Sequence, residues 1–119
     1  MKTHDSHLMF EEFIDYNLWK NSIYPMKIIC GTWKRDCNYI PTHTITFNPN
    51  GLFYDSTIKR KEKFGIEKDI IYWIYGEYKK INLYHINYIN NERAKIISIL
   101  PNCTQIEQDW IKICDSFML

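Results

Sequence analysis

The chain reads as a mainly β protein, an antiparallel meander curling into a small barrel, compact or partly open, behind one N-terminal helix. Three observations predict this. Helical periodicity is confined to about residues 6–24, short apolar runs with β-type alternation follow over about 26–113, and turn residues recur at short intervals between them. Successive strands joined by short turns imply neighbours that pair antiparallel. At 119 residues the whole chain, 1–119, is one domain's worth.

The helix is set by Phe10, Phe13, Ile14, Trp19 and Ile23, which fall near one another at helical spacing, with Glu11, Glu12, Asp15 and Lys20 largely on the other side. Asp5 or Ser6 is placed to cap it. Pro25 disfavours helical backbone in the residue before it, so the helix is expected to stop near Ser22 to Tyr24.

Met26 to Asp36 reads as the first strand, with Gly31 allowing a bend or a close backbone approach, and the chain turns near Asn38 to Pro41. Thr42 to Phe47 alternates polar and apolar, Asn48-Pro49-Asn50-Gly51 forms a turn whose Asn-Gly suits positive φ, and Leu52 to Ile58 returns. Lys59-Arg60-Lys61-Glu62-Lys63 reads as a polar link. Ile70 to Tyr75 is a dense strand that Gly76 closes or bends, and another strand runs from about Glu77 to Leu83. Tyr84 to Ile89, the turn at Asn90 to Arg93, and Ala94 to Leu100 make a second hairpin, broken by Pro101-Asn102.

The C-terminal tail carries two patterns. Thr104-Gln105-Ile106-Glu107 matches a capping box, and Ile106, Trp110, Ile113, Cys114 and Phe117 suit one helical face. A sheet curling towards closure instead needs a last strand beside its first to remove exposed edges, and this topological reason favours a strand.

Composition narrows the function classes. Ile occurs twenty times and Val never, a bias expected of AT-rich coding, so Ile and Tyr are discounted as strand signals. Fifteen Lys and Arg against fourteen Asp and Glu leave a net charge of +1, which is no footprint for nucleic acid. Glu11 and Glu12 interrupt the early apolar stretch, so no signal peptide is read and a cytoplasmic location is expected; no window reaches the roughly 20 apolar residues of a membrane-spanning helix. Cys30, Cys37, Cys103 and Cys114 contain no CxxC pair, and a reducing compartment would keep them as thiols; a disulfide tying the C-terminal segment to the first strand is the rival, with export as its corollary.

Gly31-Thr32-Trp33 on the first strand after a helix, followed by ITFNPNGLFY and by Trp73 with Gly76-Glu77-Tyr78, resembles the lipocalin (calycin) superfamily, especially its short bacterial lipocalin-like domains. The resemblance spans roughly Ile28 to Trp110. It implies that Gly31 lets the first strand pass closely under the N-terminal segment and that Trp33 packs across the closed end of a barrel. It also implies a basic residue over Trp33, a position that spacing alone does not assign.

In such a barrel alternate residues point inward, so Ile45, Phe47, Phe53, Ile71, Trp73 and Tyr75 are candidates to line an apolar cavity, or else to fill the interior completely. Tyr75 and Tyr78 have hydroxyls for a ligand or for solvent. Tyr72, Tyr84 and Tyr88 are candidates for an exposed surface that meets a partner, as is the helix face. His4 and His7 lack a third ligand, while His43 and His85 lack the neighbours of a zinc or nucleophile site, so no metal site and no cofactor are assigned. Asp36, Asp55 and Glu77 show no paired group by spacing, so no catalytic residue is assigned. Lys59 to Lys63 reads as a solvated loop.

The expectation is therefore a non-enzymatic binding protein, a small cytoplasmic inhibitor or immunity-type protein that recognises a larger protein through the barrel surface. The alternative is a carrier or sensor of a small apolar ligand, such as a fatty acid or isoprenoid, in the cavity. A homodimer is a further option, because the helix carries more apolar surface than a short barrel can cover.

Overall fold

The computed structural model describes residues 14–37, 40–57, 59–75, 80–99 and 102–115. Eight antiparallel strands follow one another around a closed barrel: β1 (Gly31–Cys37), β2 (Ile40–Phe47), β3 (Leu52–Asp55), β4 (Arg60–Glu67), β5 (Ile70–Tyr75), β6 (Lys80–Ile89), β7 (Arg93–Ile99) and β8 (Gln105–Cys114). β8 returns to pair with β1, Arg35 opposite Trp110 and Asp36 opposite Asp109, so no strand is left as an edge. The C-terminal segment is thus a strand through Cys114, and the helical pattern it also carries yields to closure of the ladder.

Two short helices precede the barrel, α1 (Tyr16–Lys20) and α2 (Met26–Ile29). The helix expected over about 6–24 differs from this. Asp15 is extended, with φ −86° and ψ 90°, and its carboxylate accepts from the Leu18 amide at 3.1 Å, so the described helix is capped at Asp15 and ends at Lys20. The cap expected at Asp5 or Ser6 and the apolar positions Phe10 and Phe13 lie outside the described residues. Met26 to Ile29, expected as strand, is one helical turn: Pro25 sets its entry, Cys30 N–H bonds to the Met26 carbonyl at 2.8 Å, and Ile29 is turned into the barrel end.

Two further differences arise where alternation was concealed by charge. The expected polar link is the start of β4, in which Lys61 and Lys63 face solvent while Glu62, Phe64 and Ile66 are buried. The strand expected from about Glu77 to Leu83 or beyond, described here from Lys80, and the one expected over 84–89 are one element, β6, since Leu83 to Ile86 pairs without a break against Ile99 to Ile96. The hairpin at Asn48 to Gly51 forms as read, with Asn48 N–H bonded to Leu52 O at 2.9 Å and Gly51 at φ +90°.

Inside, alternate residues of every strand converge. Trp33, Ile45, Phe47, Phe53, Phe64, Ile66, Ile71, Trp73, Tyr84, Ile86, Ala94, Ile96 and Trp110 form one buried cluster with Ile29. The end at which β1 begins is covered by residues 15–30: Trp19 donates its indole N–H to the Pro49 carbonyl at 2.9 Å and meets the Phe64 ring edge-on, and Ile23 N–H bonds to Lys68 O at 3.1 Å. Cys30 is a buried free thiol and Cys103 an exposed one, and burial pushes the Cys30 thiol well above its ordinary value.

Candidate functional site

Two places in the barrel carry more than packing requires. The first is the interior beyond Trp33, towards the end where β1 leads into β2. Counting by two from the core rings predicts inward positions for Arg35 on β1, His43 on β2, Asp55 on β3, Glu62 on β4, Ser98 on β7 and Gln108 on β8. All six are buried, Arg35 at 6% and Gln108 at 2% exposure. The interior therefore changes along the barrel axis, from aromatic at the covered end to polar at the other.

The polar groups are arranged by specific contacts. Arg35 is registered with His43 across the β1–β2 ladder, and its guanidinium carbon lies 5.6 Å from the centre of the Trp73 ring. The Tyr84 hydroxyl hydrogen-bonds with the side chains of Arg35 and Asn82; burial pushes this phenol above its ordinary value, partly opposed by the Arg35 charge. His43 Nε2 stands 3.4 Å from Asp55 Oδ2, and the Thr57 amide donates to Asp55 Oδ1 at 2.8 Å. Burial pushes the Asp55 carboxyl up, but the hydrogen bonds from His43 and Thr57 and the charges of His43 and Arg35 outweigh it and hold the group below the usual carboxylate range. Gln108 is oriented by Trp110, whose indole N–H donates to Gln108 Oε1 at 3.0 Å.

Two donors in this region, Arg35 Nε and Gln108 Nε2, are wholly buried and have no hydrogen-bond partner. A buried donor left unsatisfied costs about 1–3 kcal/mol, more when charged, so a fold does not retain such groups for stability. Among the described residues no group of three His, Cys, Asp or Glu is disposed to hold a metal ion. Asp55 was a candidate only in isolation, and its pairing with His43 was not visible from spacing; Arg35, Glu62 and Gln108 were missed, although period-two counting from Trp33, Phe64 and Trp110 turns each inward.

The cavity candidates lie together, but against one another. Phe47 contacts Phe53, Phe64, Trp73 and Trp110 with ring centres 5.0–6.4 Å apart, and Phe53 and Trp73 are centred 4.6 Å apart. Ile45 and Ile71 are buried in the same cluster. Tyr75 closes β5, with its side chain outside the described residues, as is Tyr78.

The second place is the outer face of β5, β6 and β7. Ile70, Tyr72 and Ile74 alternate with the buried Ile71 and Trp73; Leu83 alternates with Tyr84; Ile97 and Ile99 flank Ser98. Register joins them, with Tyr72 opposite Leu83, Leu83 opposite Ile99, and Ile70 and Ile97 both opposite His85. The Tyr72 ring lies against Gly65 on β4. Leu83 is 38% exposed in the middle of this face. Of the tyrosines expected at a partner surface, Tyr72 belongs to it and Tyr88 is 51% exposed further along β6, beside Lys95. Tyr84 is not a surface residue: it is 4% exposed and points into the barrel, its ring 4.3 Å from that of Trp73. The strand's alternation, starting from the outward Leu83, is what turns it inward.

At the covered end Trp33 lies inside the barrel, whereas Gly31 makes its close approach to the closing strand β8 and not to the N-terminal segment. Gly31 has φ +124°, and a Cβ there would sit 2.6 Å from the Cys114 carbonyl oxygen, so the closing strand can approach only a glycine. Trp33 is fully buried and donates its indole N–H to the Ile29 carbonyl at 2.8 Å. Lys112 of β8 places its ammonium 5.0 Å above the Trp33 ring and donates to the carbonyls of Ile28 at 2.8 Å and Lys27 at 3.3 Å. Its place depends on the β1–β8 register, which no local spacing reveals. His4 and His7 lie outside the described residues, while His85 on the outer face pairs with Asp69 at 2.7 Å.

No family model, no curated protein and no solved structure matches this chain.

Proposed function

We propose that the chain is a non-enzymatic binding protein on a lipocalin-like barrel, recognising a larger protein through the outer face of β5, β6 and β7 in the manner of a small cytoplasmic inhibitor or immunity protein. The observation that carries this reading is the apolar row itself: Ile70, Tyr72, Ile74, Leu83, Ile97 and Ile99 point away from the core on three adjacent strands. An outward strand position in a water-soluble barrel is ordinarily polar, and contiguous apolar surface marks a place where another surface sits. The lipocalin likeness is supported by Gly31 and Trp33 on the first of eight strands and by the Lys112 ammonium over Trp33. The carrier alternative requires room among Phe47, Phe53, Ile71 and Trp73, and those side chains pack into one cluster, which favours the surface reading.

The test is co-purification from the native host with the wild-type chain and with a Leu83→Lys/Ile97→Lys double variant. Both positions face outward, so the variant is expected to melt within a few degrees of wild type. A stoichiometric protein partner retained by the wild type and lost by the variant is the expected result. Absence of any stoichiometric partner, or its equal retention by the variant, defeats the proposal.

A further inference from the structure

Outside the barrel, between α1, the β2–β3 turn and the outer side of β4 and β5, lies a groove of about 420 Å³, within the range of small-molecule sites. Two glycines keep it open. A Cβ at Gly51 would point at Leu18 Cδ2 and Asp15 Oδ2, 3.7 and 3.9 Å away, and at Gly65 the Tyr72 ring takes the space a side chain would fill. The helical wall is pinned at both ends. Asp15 N–H and the Trp19 indole donate to the Pro49 carbonyl at 3.0 and 2.9 Å, and the Asn21 carbonyl accepts from Lys68 N–H. The outline of the groove is therefore set before anything binds.

We infer that this groove binds a neutral saccharide, its hydroxyls held by the amides of Asn17, Asn21 and Asn50 and its ring set against Tyr72. Asn17 and Asn21 are exposed and one helical turn apart, so their amides share a side of α1 and its cap. Asn50 has its Oδ1 committed to Leu52 N–H, which leaves its NH₂ as a donor. Asp15 has its Oδ1 committed to Leu18 N–H, which leaves Oδ2 as an acceptor. An amide offers donor and acceptor side by side, the pattern that two adjacent hydroxyls of a sugar answer. Charge disfavours an ion: Asp15 and Lys63 both line the groove, so an ion attracted by one is opposed by the other. An apolar ligand would strip water from three amides and a carboxylate without replacing their hydrogen bonds. Leu18, Tyr72 and Ile74 supply the apolar wall that the C–H face of a pyranose covers. The groove is distinct from the partner surface, with which it shares only Tyr72 and Ile74.

The full chain, labelled with ¹⁵N, is titrated at constant pH with glucose, galactose, mannose and N-acetylglucosamine, following the side-chain amide resonances of Asn17, Asn21 and Asn50. Saturating shifts with at least one of these sugars are expected, and none with equal additions of glycerol, which carries hydroxyls but no ring. Asn17→Ala/Asn21→Ala is expected to weaken binding about tenfold or more while keeping the melting temperature, since both side chains are exposed. Tyr72→Ser is expected to abolish binding. Because Tyr72 also covers Gly65 and its loss can lower stability, the asparagine pair is the deciding variant. No saturating shift with any of the sugars, an equal response to glycerol, or unchanged affinity in the asparagine variant overturns the inference. The outer-face variant Leu83→Lys/Ile97→Lys is expected to bind the sugar as the wild type does, so this groove and the partner surface fail or stand separately.

Discussion

Lys112 contributes through contacts with two parts of the chain far from it in sequence, Trp33 on β1 and the end of α2. Its side chain is almost wholly buried, its ammonium covers Trp33, and its hydrogen bonds end on the carbonyls that α2 presents. A buried cation held by carbonyls and a ring face is stabilising only while all of these stay in place. Trp33→Ala is expected to lower the unfolding free energy by about 3–5 kcal/mol, as for other buried large aromatics. Lys112→Met, which keeps length but removes the charge and the donors, is expected to lower it by about 2 kcal/mol. Urea denaturation of both variants checks this, and an unchanged midpoint for Trp33→Ala would remove that ring from the foundation of the barrel. Asp55 gives a pH dependence with a definite sign. Its folded value lies below the unfolded one, so its contribution is complete above the unfolded pKa of about 3.9 and is lost as pH falls through the folded value. The stability gap between wild type and Asp55→Asn is therefore expected to narrow as pH falls below about 5. A gap that widens on acidification would contradict the pairing with His43.

Among the elements, legibility followed how much of each pattern was local. The β2–β3 hairpin was readable because alternation and an Asn-Gly turn coincide: Asn50 Oδ1 accepts from Leu52 N–H at 3.1 Å, and Gly51 supplies φ +90°. Gly51→Ala is expected to cost about 1–3 kcal/mol in denaturant unfolding, because any Cβ is strained at that φ; no change would mean that the turn relaxes to another type. The beginning of β4 was hidden because Glu62, a charged residue, faces inward, and polarity alone assigned it to solvent. α2 was hidden because four residues with two adjacent isoleucines fit a strand as well as a turn of helix, and the decision belongs to the burial of Ile29. The candidate site shares this limitation. Period-two counting places Arg35, His43 and Gln108 inside, but which of them meet depends on pairings between strands far apart in the chain.

For the molecule as a whole, the sequence sufficed for the meander but left open whether the barrel closes; the edge argument favoured a final strand beside the first, and β8 pairs with β1 along that seam. The polar interior and the apolar outer face follow from the same closure. An eight-stranded barrel of this width has an interior that side chains can fill. Rings occupy one half, charged and amide groups the other, and the apolar residues for which the interior has no room remain outside on β5 to β7. Residues 15–30 cover the aromatic end, so any approach to the polar half is from the opposite end of the barrel.

The pairing of Thr32 with Cys114 means that the barrel has no first strand in space, only a first strand in translation. Each strand has two neighbours, and the ladder between β8 and β1 is of the same kind as the seven between consecutive strands. Strand order is thus cyclic, and the place where the polypeptide is cut is a separate choice from the architecture. A circular permutant joined by a flexible linker between Leu119 and Met1, and opened in the exposed turn at Asn90 to Glu92, retains all eight ladders and is expected to give the near-ultraviolet dichroism of the parent. Such a permutant would also bring β8 and β1 nearer in the chain and hand the most distant pairing to β6 and β7, so the ladder that must close last moves round the barrel.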